Sequence, residues 1–327
     1  MTKPISLLIP CYNSARFLPG LFDQIHRQTV PFAEIIVYDD HSADGSAAVA
    51  EALGARVLRG KATRGPGFAR NRLLEAAGKP FLHYHDADDG VEPLFVEKMS
   101  RALDSDRHGT VCALRIVHLD HAEADYVLRF PEIAAHADLV GFMIRTFIHF
   151  DAMVVPRRLL VEAGGFVDQM RFSEDRDLLA RLAATGIAFN YVDEPLATWT
   201  KHGASLTRSR PTLAQAPYRR WYLHRCYRKL PSQHRPAIGD MALYVAWMFY
   251  HDARGREARA YREEARRWMY LARLCRRRYG RSASWPEKLL AQGFGPEVAF
   301  FVRRMHAAAR GRLDGSPRKI QSPTARP

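Results

Sequence analysis

Apolar and polar residues follow one another in blocks along the first hundred positions of the chain. The apolar run at 5–9 stops at Pro10 and is typical of a buried parallel strand. A helix is predicted to follow it, with Asn13 or Ser14 as the N-terminal cap. Its apolar residues fall on one helical face and comprise Phe17, Leu18, Leu21, Phe22 and Ile25.

The same strand and helix unit then repeats. The pattern predicts strands at 34–38, 56–58 and 81–84 and helices at 46–53 and 66–77. Alternating strands and helices of this kind indicate an α/β fold with a mostly parallel sheet and helices on both faces.

Polar clusters stand where three of these strands end. They are Tyr12-Asn13, Asp39-Asp40 and the segment from Asp86 to Asp88. Ligands bind beyond the carboxyl ends of strands in such sheets. We therefore expect the three clusters to meet in one crevice.

The chain changes character twice after this region. Residues 111–199 are less regular, with helices predicted at 157–163 and about 175–185 and a turn at Gly164-Gly165. After residue 205 helical patterns dominate, and the Pro-, Ser- and Arg-rich end is typical of disorder. We predict a catalytic domain at 1–205, a basic helical region at 206–311 and a disordered tail at 312–327.

Composition places the chain among globular proteins that act inside the cell. The 327 residues are 47% hydrophobic, which suffices for a full core. The apolar N-terminal run is too short for a signal peptide, and no stretch approaches the roughly 20 apolar residues of a membrane span. Four widely spaced cysteines indicate reduced, packed thiols. We expect a cytoplasmic protein, either soluble or peripheral at the inner membrane face.

Charge is distributed unevenly. Residues 205–327 hold 27 of the 49 Lys and Arg residues but only 8 of the 35 acidic ones. The preceding part holds 22 basic and 27 acidic residues and is mildly acidic. Within the basic part, a predicted helix at 254–279 carries an apolar stripe surrounded by arginines. The stripe comprises Tyr261, Ala265, Trp268, Ala272 and Cys275.

Three interpretations of this basic part stay open. The stripe could lie on an anionic membrane surface. It could equally pack against the rest of the protein or a second subunit, with the arginines solvated. Nucleic-acid binding is favoured only by charge, and no DNA- or RNA-binding module is present in the pattern, so no nucleic-acid partner is expected.

The pair Asp86 and Asp88 is the main candidate for chemistry. Alternate residues of an extended segment share a face, so the two carboxylates point the same way. Hard oxygen ligands suit Mg²⁺ or Mn²⁺ holding a diphosphate. The neighbouring His83 and His85, and also His149, are interpreted as structural or surface histidines and not as metal ligands.

Five segments in one order carry a family resemblance. They are ISLLIPCYNSARFLPGLFDQIHRQT, EIIVYDDHSADGS, RGPGFARN, FLHYHDADD and SEDRDLLARL. With them, residues 4–205 resemble the family-two glycosyltransferases of the GT-A fold. The resemblance implies a Rossmann-like α/β domain that takes a nucleoside-diphosphate sugar, with UDP the most expected nucleotide, and uses Mn²⁺ or Mg²⁺.

The resemblance also implies which residues bind the nucleotide. Pro10, Tyr12 and Asn13 match the first-strand motif, in which the aromatic ring packs on the nucleobase. Asp40 matches the residue that hydrogen-bonds the base edge, and Asp39 supports that turn. The same resemblance brings further residues to the donor: Arg64 and Arg70 to the diphosphate, Asp86 to the ribose or metal, and Asp88 to the metal. A glycine is frequent where Arg72 stands here, so the two arginines could exchange roles.

The resemblance assigns the reaction to an acid pair before a helix. Glu174 and Asp175 match this pair, which makes Asp175 the catalytic base. A positioned carboxylate accelerates proton removal from a hydroxyl by about 10²–10⁴-fold. One base opposite the leaving group implies a single displacement with inversion. His202 matches a histidine expected to complete the metal shell or to contact the diphosphate.

The resulting hypothesis is an inverting glycosyltransferase for surface polysaccharide or glycolipid assembly, with a glycan or lipid-linked acceptor. A non-catalytic nucleotide-sugar-binding or membrane-scaffold protein of the same fold is the alternative. It is disfavoured because each expected acid is present. A nucleotidyltransferase is a third candidate, but the N-terminus has no glycine-rich loop with a following Arg and Lys.

Overall fold

One mixed sheet organises the chain in a computed structural model, which describes residues 2–120, 124–203, 212–251, 253 and 255–275. The strands are β1 Ile5–Cys11, β2 Glu34–Asp39, β3 Arg56–Arg59, β4 Phe81–Tyr84, β5 Gly90–Val91, β6 His108–His118, β7 Tyr126–Leu128, β8 Met153–Pro156 and β9 Ala188–Lys201. Their order across the sheet is β3-β2-β1-β4-β8-β6-β9-β5, with β7 paired to β6.

Helices connect and cover these strands. They are α1 Leu18–His26, α2 Ser46–Ala52, α3 Pro66–Ala76, α4 Phe95–Arg101, α5 Leu139–Arg145, α6 Arg157–Glu162, α7 Glu174–Ala184, α8 Thr212–Lys229, α9 Arg235–His251 and α10 Ala258–Leu274. Short 3₁₀ turns lie at Pro131–Ala135, Phe150–Ala152, Ser232–His234 and Gly255–Glu257. The predicted α/β class is confirmed.

The first four strands form the parallel part of the sheet. β1 lies between β2 and β4 and is parallel to both, and β2 is parallel to β3. β1 is therefore covered on both faces, which explains its continuous apolar run. The helix cap predicted at Asn13 or Ser14 is wrong: α1 begins at Leu18, after a turn, and has no side-chain cap.

The second half of the sheet is mixed. β8 pairs antiparallel with β4 and β6, and β5 pairs antiparallel with β9. β6 and β9 are long and run parallel to each other, with an irregular register around Cys112–Leu114. This half supplies the far wall of the site, because β9 ends beside the loop that follows β4.

The C-terminal helices pack onto the domain they follow. α9 contacts α5, α8 contacts α7, and α10 contacts α8 and α9. The apolar stripe of α10 is buried, since Ala265, Trp268, Ala272 and Cys275 are at most 4% exposed. Packing within the chain, one of the three open interpretations, is therefore what the described residues show, and membrane contact through this stripe is wrong.

Several other predictions meet the described residues only in part. The predicted helix 254–279 is described as α10 and a preceding 3₁₀ turn, while the tail 312–327 and the boundary at 205–206 lie outside the described residues. All four cysteines are buried, and none of them forms a disulfide. In the described part of the chain, no helix combines the length and apolar character needed to cross a membrane.

Candidate functional site

The turns after β1 and β2 are fastened to each other. The amide of Asn13 donates to Ser42 Oγ at 2.9 Å, and its side-chain oxygen accepts from the amide of Ala43 at 2.9 Å. Tyr12 points away from the core and is 52% exposed. The first two predicted clusters therefore meet, and the Tyr12 ring stands at their edge.

Asp39 and Asp40, at the end of β2, each hold a neighbouring loop through backbone amides. Asp40 is buried, and its two carboxylate oxygens accept from the amides of Arg64 and Gly65 at 2.7–3.0 Å. These bonds anchor the loop before α3, and the contact of Asp40 with a base edge stays a prediction. Asp39 Oδ2 supports the turn by accepting from the amide of Ser42 at 3.3 Å. Its Oδ1 is buried without a hydrogen-bond partner among the described residues.

Strained backbone is concentrated in the loops of this region. Asn13, His41 and Ser173 have φ of 50°, 67° and 62° and are the non-glycine residues with positive φ in the described chain. Two follow the strands β1 and β2, and the third immediately precedes α7. Such conformations cost energy and persist where the surrounding structure holds them, which happens most often at functional sites.

The loop before α3 fits closely under the segment that leads to α7. Gly65 has φ +96°, and its amide is one of those that Asp40 fixes. At Gly67 a Cβ atom would lie 2.9 Å from the carbonyl oxygen of Val167. The two glycines thus allow α3 to approach the loop that leads to α7, the helix with the predicted base.

Arg70 joins the third cluster to α7. It is buried, with Nη2 at 2.8 Å from Asp86 Oδ1 and Nη1 at 2.7 Å from Glu174 Oε1. Burial opposes its charge, but Asp86 and Glu174 outweigh burial and raise its pKa. The predicted diphosphate contact of Arg70 is therefore not supported. Arg70 instead holds the tip of β4 and the start of α7 on one cleft.

We expect Arg70→Met to destabilise the protein by about 3–5 kcal/mol, because it leaves two carboxylates without their buried partner. Denaturant unfolding followed by far-UV circular dichroism measures this. The control is Arg59→Met, which removes an exposed pair with Glu51 and should cost at most about 1 kcal/mol. Equal losses in the two variants would contradict the structural role of Arg70.

Glu174 and Asp175 lie at the first turn of α7, as predicted. Glu174 is buried, whereas Asp175 is half-buried, and its Oδ1 accepts from the amide of Arg176 at 2.7 Å. Burial and the neighbouring Asp175 raise the pKa of Glu174 to about 7, against the attraction of Arg70. The accessible acid of the pair is therefore Asp175.

The raised pKa of Glu174 predicts a pH-dependent stability. Between pH 4.5, its ordinary value, and about 7 the folded protein keeps a proton that the unfolded chain loses, so stability falls as the pH rises through this window. We expect Glu174→Gln to remove this fall, which amounts to about 1–3 kcal/mol. Urea unfolding from pH 4.5 to 8 measures it.

The control for this series is Glu162→Gln, because Glu162 is exposed on α6 and makes no contact with the site. Its curve of stability against pH should run parallel to that of the wild type. The opposite result would be a wild-type stability that rises with pH across this window and a Glu174→Gln variant without that rise. It would show that Glu174 is ionised in the folded protein and would contradict its raised pKa.

Asp88 meets the predicted histidine. His202 Nε2 lies 2.8 Å from Asp88 Oδ2, and its ring packs against Phe17 with centroids 5.1 Å apart. A cleft of about 500 Å³ opens beside Asp88, with Gln24, Thr198 and Thr200 among its lining residues. The side chain of Asp88 is 30% exposed, so it faces both this cleft and the histidine.

Three further side chains cluster with Asp86 at the base of the site. Ligand atoms of Asp86, Asp89, His149 and Asp151 all lie within 4.8 Å of one another. His149 approaches Asp151 Oδ1 at 3.3 Å and Asp86 Oδ2 at 3.8 Å. The sequence interpretation of His149 as merely structural missed this contact, and Asp89 and Asp151 were not predicted at all.

Buried hydrogen bonds occupy part of this cluster. Asp89 Oδ1 accepts from the amide of Thr200 at 2.7 Å, and Asp151 Oδ1 accepts from the amide of Asp86 at 3.2 Å. Burial raises the pKa of both Asp89 and Asp151 well above the ordinary value, and a neighbouring acid adds to this, Asp151 for Asp89 and Asp86 for Asp151. A shared proton or a cation would stabilise such a pair.

The two remaining predicted nucleotide residues lie at the rim. Pro10 continues β1 in register with Tyr38 of β2. Arg64 is exposed and its guanidinium lies 4.5 Å from the ring centroid of Phe68. Of the two predicted diphosphate residues, Arg64 is thus the accessible one. Arg72 also lies over Phe68 and pairs with Glu75 on the same helix.

Known proteins share this sequence and architecture. Residues 6–157 match the family described as glycosyl transferase family 2. The succinoglycan biosynthesis protein ExoU of Rhizobium meliloti is 30% identical over 200 residues, which are 55% of this chain and 57% of that protein. The uncharacterized glycosyltransferase EpsJ of Bacillus subtilis is 26% identical over 221 residues, 63% of this chain and 64% of its own length. The chain spans between 33% and 64% of the length of the first such relatives.

Solved structures show the same fold. Residues 1–349 of S. aureus TarS, in complex with UDP-GlcNAc, have a TM-score of 0.56 at 16% identity over 85% of this chain and 93% of that one. The mannosyltransferase PcManGT from Pyrobaculum calidifontis, in complex with GDP-Man and Mn²⁺, has a TM-score of 0.58 at 16% identity over 97% and 89%. The GT-A fold expected from the sequence is confirmed.

Proposed function

We propose that the protein transfers a sugar from a nucleoside-diphosphate sugar to a hydroxyl acceptor, from the premise that residues 6–157 match glycosyl transferase family 2. The observation that carries the proposal is the Arg70 bridge. It fastens Asp86, at the tip of β4, and Glu174, beside the proposed base, to a single guanidinium. Donor chemistry and proton removal can therefore take place in one cleft.

The nucleotide is proposed to lie along the ends of β1 and β2. The exposed ring of Tyr12 offers a face for the nucleobase. Of the two acids at the end of β2, we propose Asp39 for the contact with the base edge, because its Oδ1 has no hydrogen-bond partner among the described residues. Both oxygens of Asp40 already accept from the loop before α3. Arg64 is placed to reach the diphosphate with its exposed guanidinium. Structural neighbours in complex with UDP-GlcNAc and with GDP-Man support a nucleoside-diphosphate sugar.

The residues at the strand tips fit a divalent cation. Asp88 and Asp86 offer carboxylate oxygens, and His202 offers a ring nitrogen 2.8 Å from Asp88. We propose that these three hold Mn²⁺ or Mg²⁺, which would stabilise the charge on the departing diphosphate. Asp89 and Asp151 are less suited, because each already accepts a backbone amide. Mn²⁺ in the mannosyltransferase complex supports the choice of ion.

Asp175 is proposed to accept the proton of the acceptor hydroxyl. It is the more accessible carboxylate at the start of α7, and its neighbour Glu174 is fixed by Arg70. The hydroxyl oxygen then attacks the anomeric carbon as the bond to the diphosphate breaks. A single displacement of this kind inverts the anomeric configuration.

The acceptor is proposed to be a glycan or a lipid-linked sugar, as the relative in succinoglycan biosynthesis suggests. Contact with an anionic membrane surface would rest on the exposed arginines of α10, among them Arg262 and Arg266. Co-sedimentation with phosphatidylglycerol vesicles tests this contact: Arg262→Glu with Arg266→Glu should abolish it. Equal sedimentation of wild type and variant would overturn it.

A thermal-shift panel tests the donor. UDP, GDP, dTDP and ADP are compared, each with Mn²⁺ and with EDTA, because a ligand that binds only the folded state raises the melting temperature. We expect one nucleoside diphosphate to stabilise the chain with Mn²⁺ alone. Absence of any metal-dependent shift would favour the non-catalytic alternative. Pyrophosphate release from a nucleoside triphosphate and a sugar phosphate would instead identify a nucleotidyltransferase.

A further inference from the structure

Two aromatic rings and two cations form a patch beside the proposed base. The patch comprises Phe147, Trp199, Arg176 and Lys201, all half-buried. The two rings contact each other edge to face, with centroids 6.0 Å apart. The guanidinium of Arg176 lies 4.7 Å from the centroid of Phe147, and the ammonium of Lys201 lies 4.5 Å from that of Trp199. Each ring thus fixes one cation by a cation–π contact.

The patch adjoins the reacting groups on two sides. Arg176 follows Asp175 directly in α7. His149 stacks on Trp199 with centroids 5.1 Å apart and reaches to 3.8 Å from Asp86. The patch is thus linked to Asp175 through Arg176 and to Asp86 through His149.

The strand β9 separates the patch from the cleft beside Asp88. Thr198 and Thr200 line that cleft. Trp199 and Lys201 alternate with them and face the other side of the sheet. The patch therefore lies outside that cleft, and it shares no residue with the proposed donor site.

Arg176 lacks an acceptor for one of its donors. Its Nη1 is buried and has no hydrogen-bond partner among the described residues. A buried guanidinium nitrogen without a partner is costly and is best satisfied by an anionic oxygen. The second cation, Lys201, lies on the adjoining ring of Trp199.

We propose that this patch is the acceptor subsite and that it selects a sugar carrying a phosphate or carboxylate group, an inference that rests on the proposed glycosyl transfer. The rings pack on the apolar face of the acceptor sugar, and Arg176 and Lys201 bind its anionic group. Arginine recognises planar or tetrahedral oxyanions through paired N–H donors. The reacting hydroxyl then lies towards Asp175.

Calorimetry on the full chain tests this without requiring turnover. The donor site is first filled with Mn²⁺ and the nucleoside diphosphate that stabilises the chain most. Glucose 6-phosphate, glucuronate, methyl glucoside and inorganic phosphate are then titrated separately. We expect at least one of the two anionic sugars to bind about tenfold or more tightly than the neutral glycoside. Arg176→Gln and Lys201→Met should each reduce this preference at least about threefold.

Two further variants sharpen the result. Trp199→Ala should weaken every sugar and leave the affinity for inorganic phosphate unchanged. Arg158→Gln, which changes an exposed arginine of α6 that pairs with Asp106, should match the wild type. The proposal is overturned if neutral and anionic sugars bind equally, if the preference survives in Arg176→Gln and Lys201→Met, or if inorganic phosphate binds as tightly as glucose 6-phosphate. If the wild type prefers anionic sugars but turns over no donor, the proposed glycosyl transfer is refuted and the anionic sugar site is not.

Discussion

Asp175→Asn is expected to lower sugar transfer by about 10²–10⁴-fold while nucleotide affinity stays unchanged. The carboxylate lies at the open end of α7, next to Glu174, which Arg70 holds. An amide keeps the shape, and its oxygen can still accept from the amide of Arg176, as the carboxylate does at 2.7 Å. It cannot take a proton from a hydroxyl at neutral pH. Steady-state rates of nucleoside diphosphate release in the presence of acceptor, with calorimetry for nucleotide binding, measure both quantities.

The control for this variant is Asp106→Asn, since Asp106 is an exposed acid that pairs with Arg158 and is not one of the proposed site residues. It should turn over like the wild type. Full activity in Asp175→Asn would remove the base assignment. Loss of activity only in Glu174→Gln would transfer the role to the buried acid, whose pKa of about 7 suits proton acceptance.

Asp88→Ala is expected to abolish both turnover and metal-dependent nucleotide binding. Asp88 faces the cleft and lies 2.8 Å from His202, so its removal takes away one of the three proposed ligands and a hydrogen-bond partner of a second. We expect Mn²⁺-dependent affinity for the nucleoside diphosphate to fall more than about 100-fold, since even outer-shell partners of metal ligands contribute 10–100-fold. Calorimetry with and without Mn²⁺ measures this change.

Asp151→Asn is the matched comparison, because Asp151 belongs to the neighbouring group of Asp86, Asp89 and His149. Its amide can keep the hydrogen bond from the amide of Asp86, and Mn²⁺-dependent binding should persist within about threefold. The opposite pattern, with Asp88→Ala retaining the metal and Asp151→Asn losing it, would place the cation in the buried group.

The parallel half of the fold could be predicted from the sequence. β1, β2, β3 and β4 lie within two residues of their predicted ends, and α7 begins one residue before the prediction. These elements have unbroken apolar runs or clear helical periodicity, and their polar ends identified the crevice. β9 could not be predicted, because Asp193-Glu194-Pro195 interrupts its pattern and the strand is held by a long pairing with β6.

The sequence predicted which residues form much of the site, but it predicted fewer of their contacts and less of their burial. Asp88 and His202 meet although 114 positions separate them, as the family pattern implied. The burial of Arg70 was not predictable, because arginine is mostly exposed unless paired, and its partner Glu174 lies 104 positions away. The same holds for Asp40, whose two backbone donors belong to a loop 24–25 residues further on.

We propose that acids from separate strand tips and from α7 act together on a nucleoside-diphosphate sugar. The most direct test uses a coupled assay to measure the release of nucleoside diphosphate from UDP-, GDP- and dTDP-sugars by the wild type with Mn²⁺. We expect at least one donor to release nucleoside diphosphate. EDTA should stop this release, and both Asp88→Ala and Asp175→Asn should lose it. Absence of release from every donor, or release that is unchanged in both variants, would contradict it.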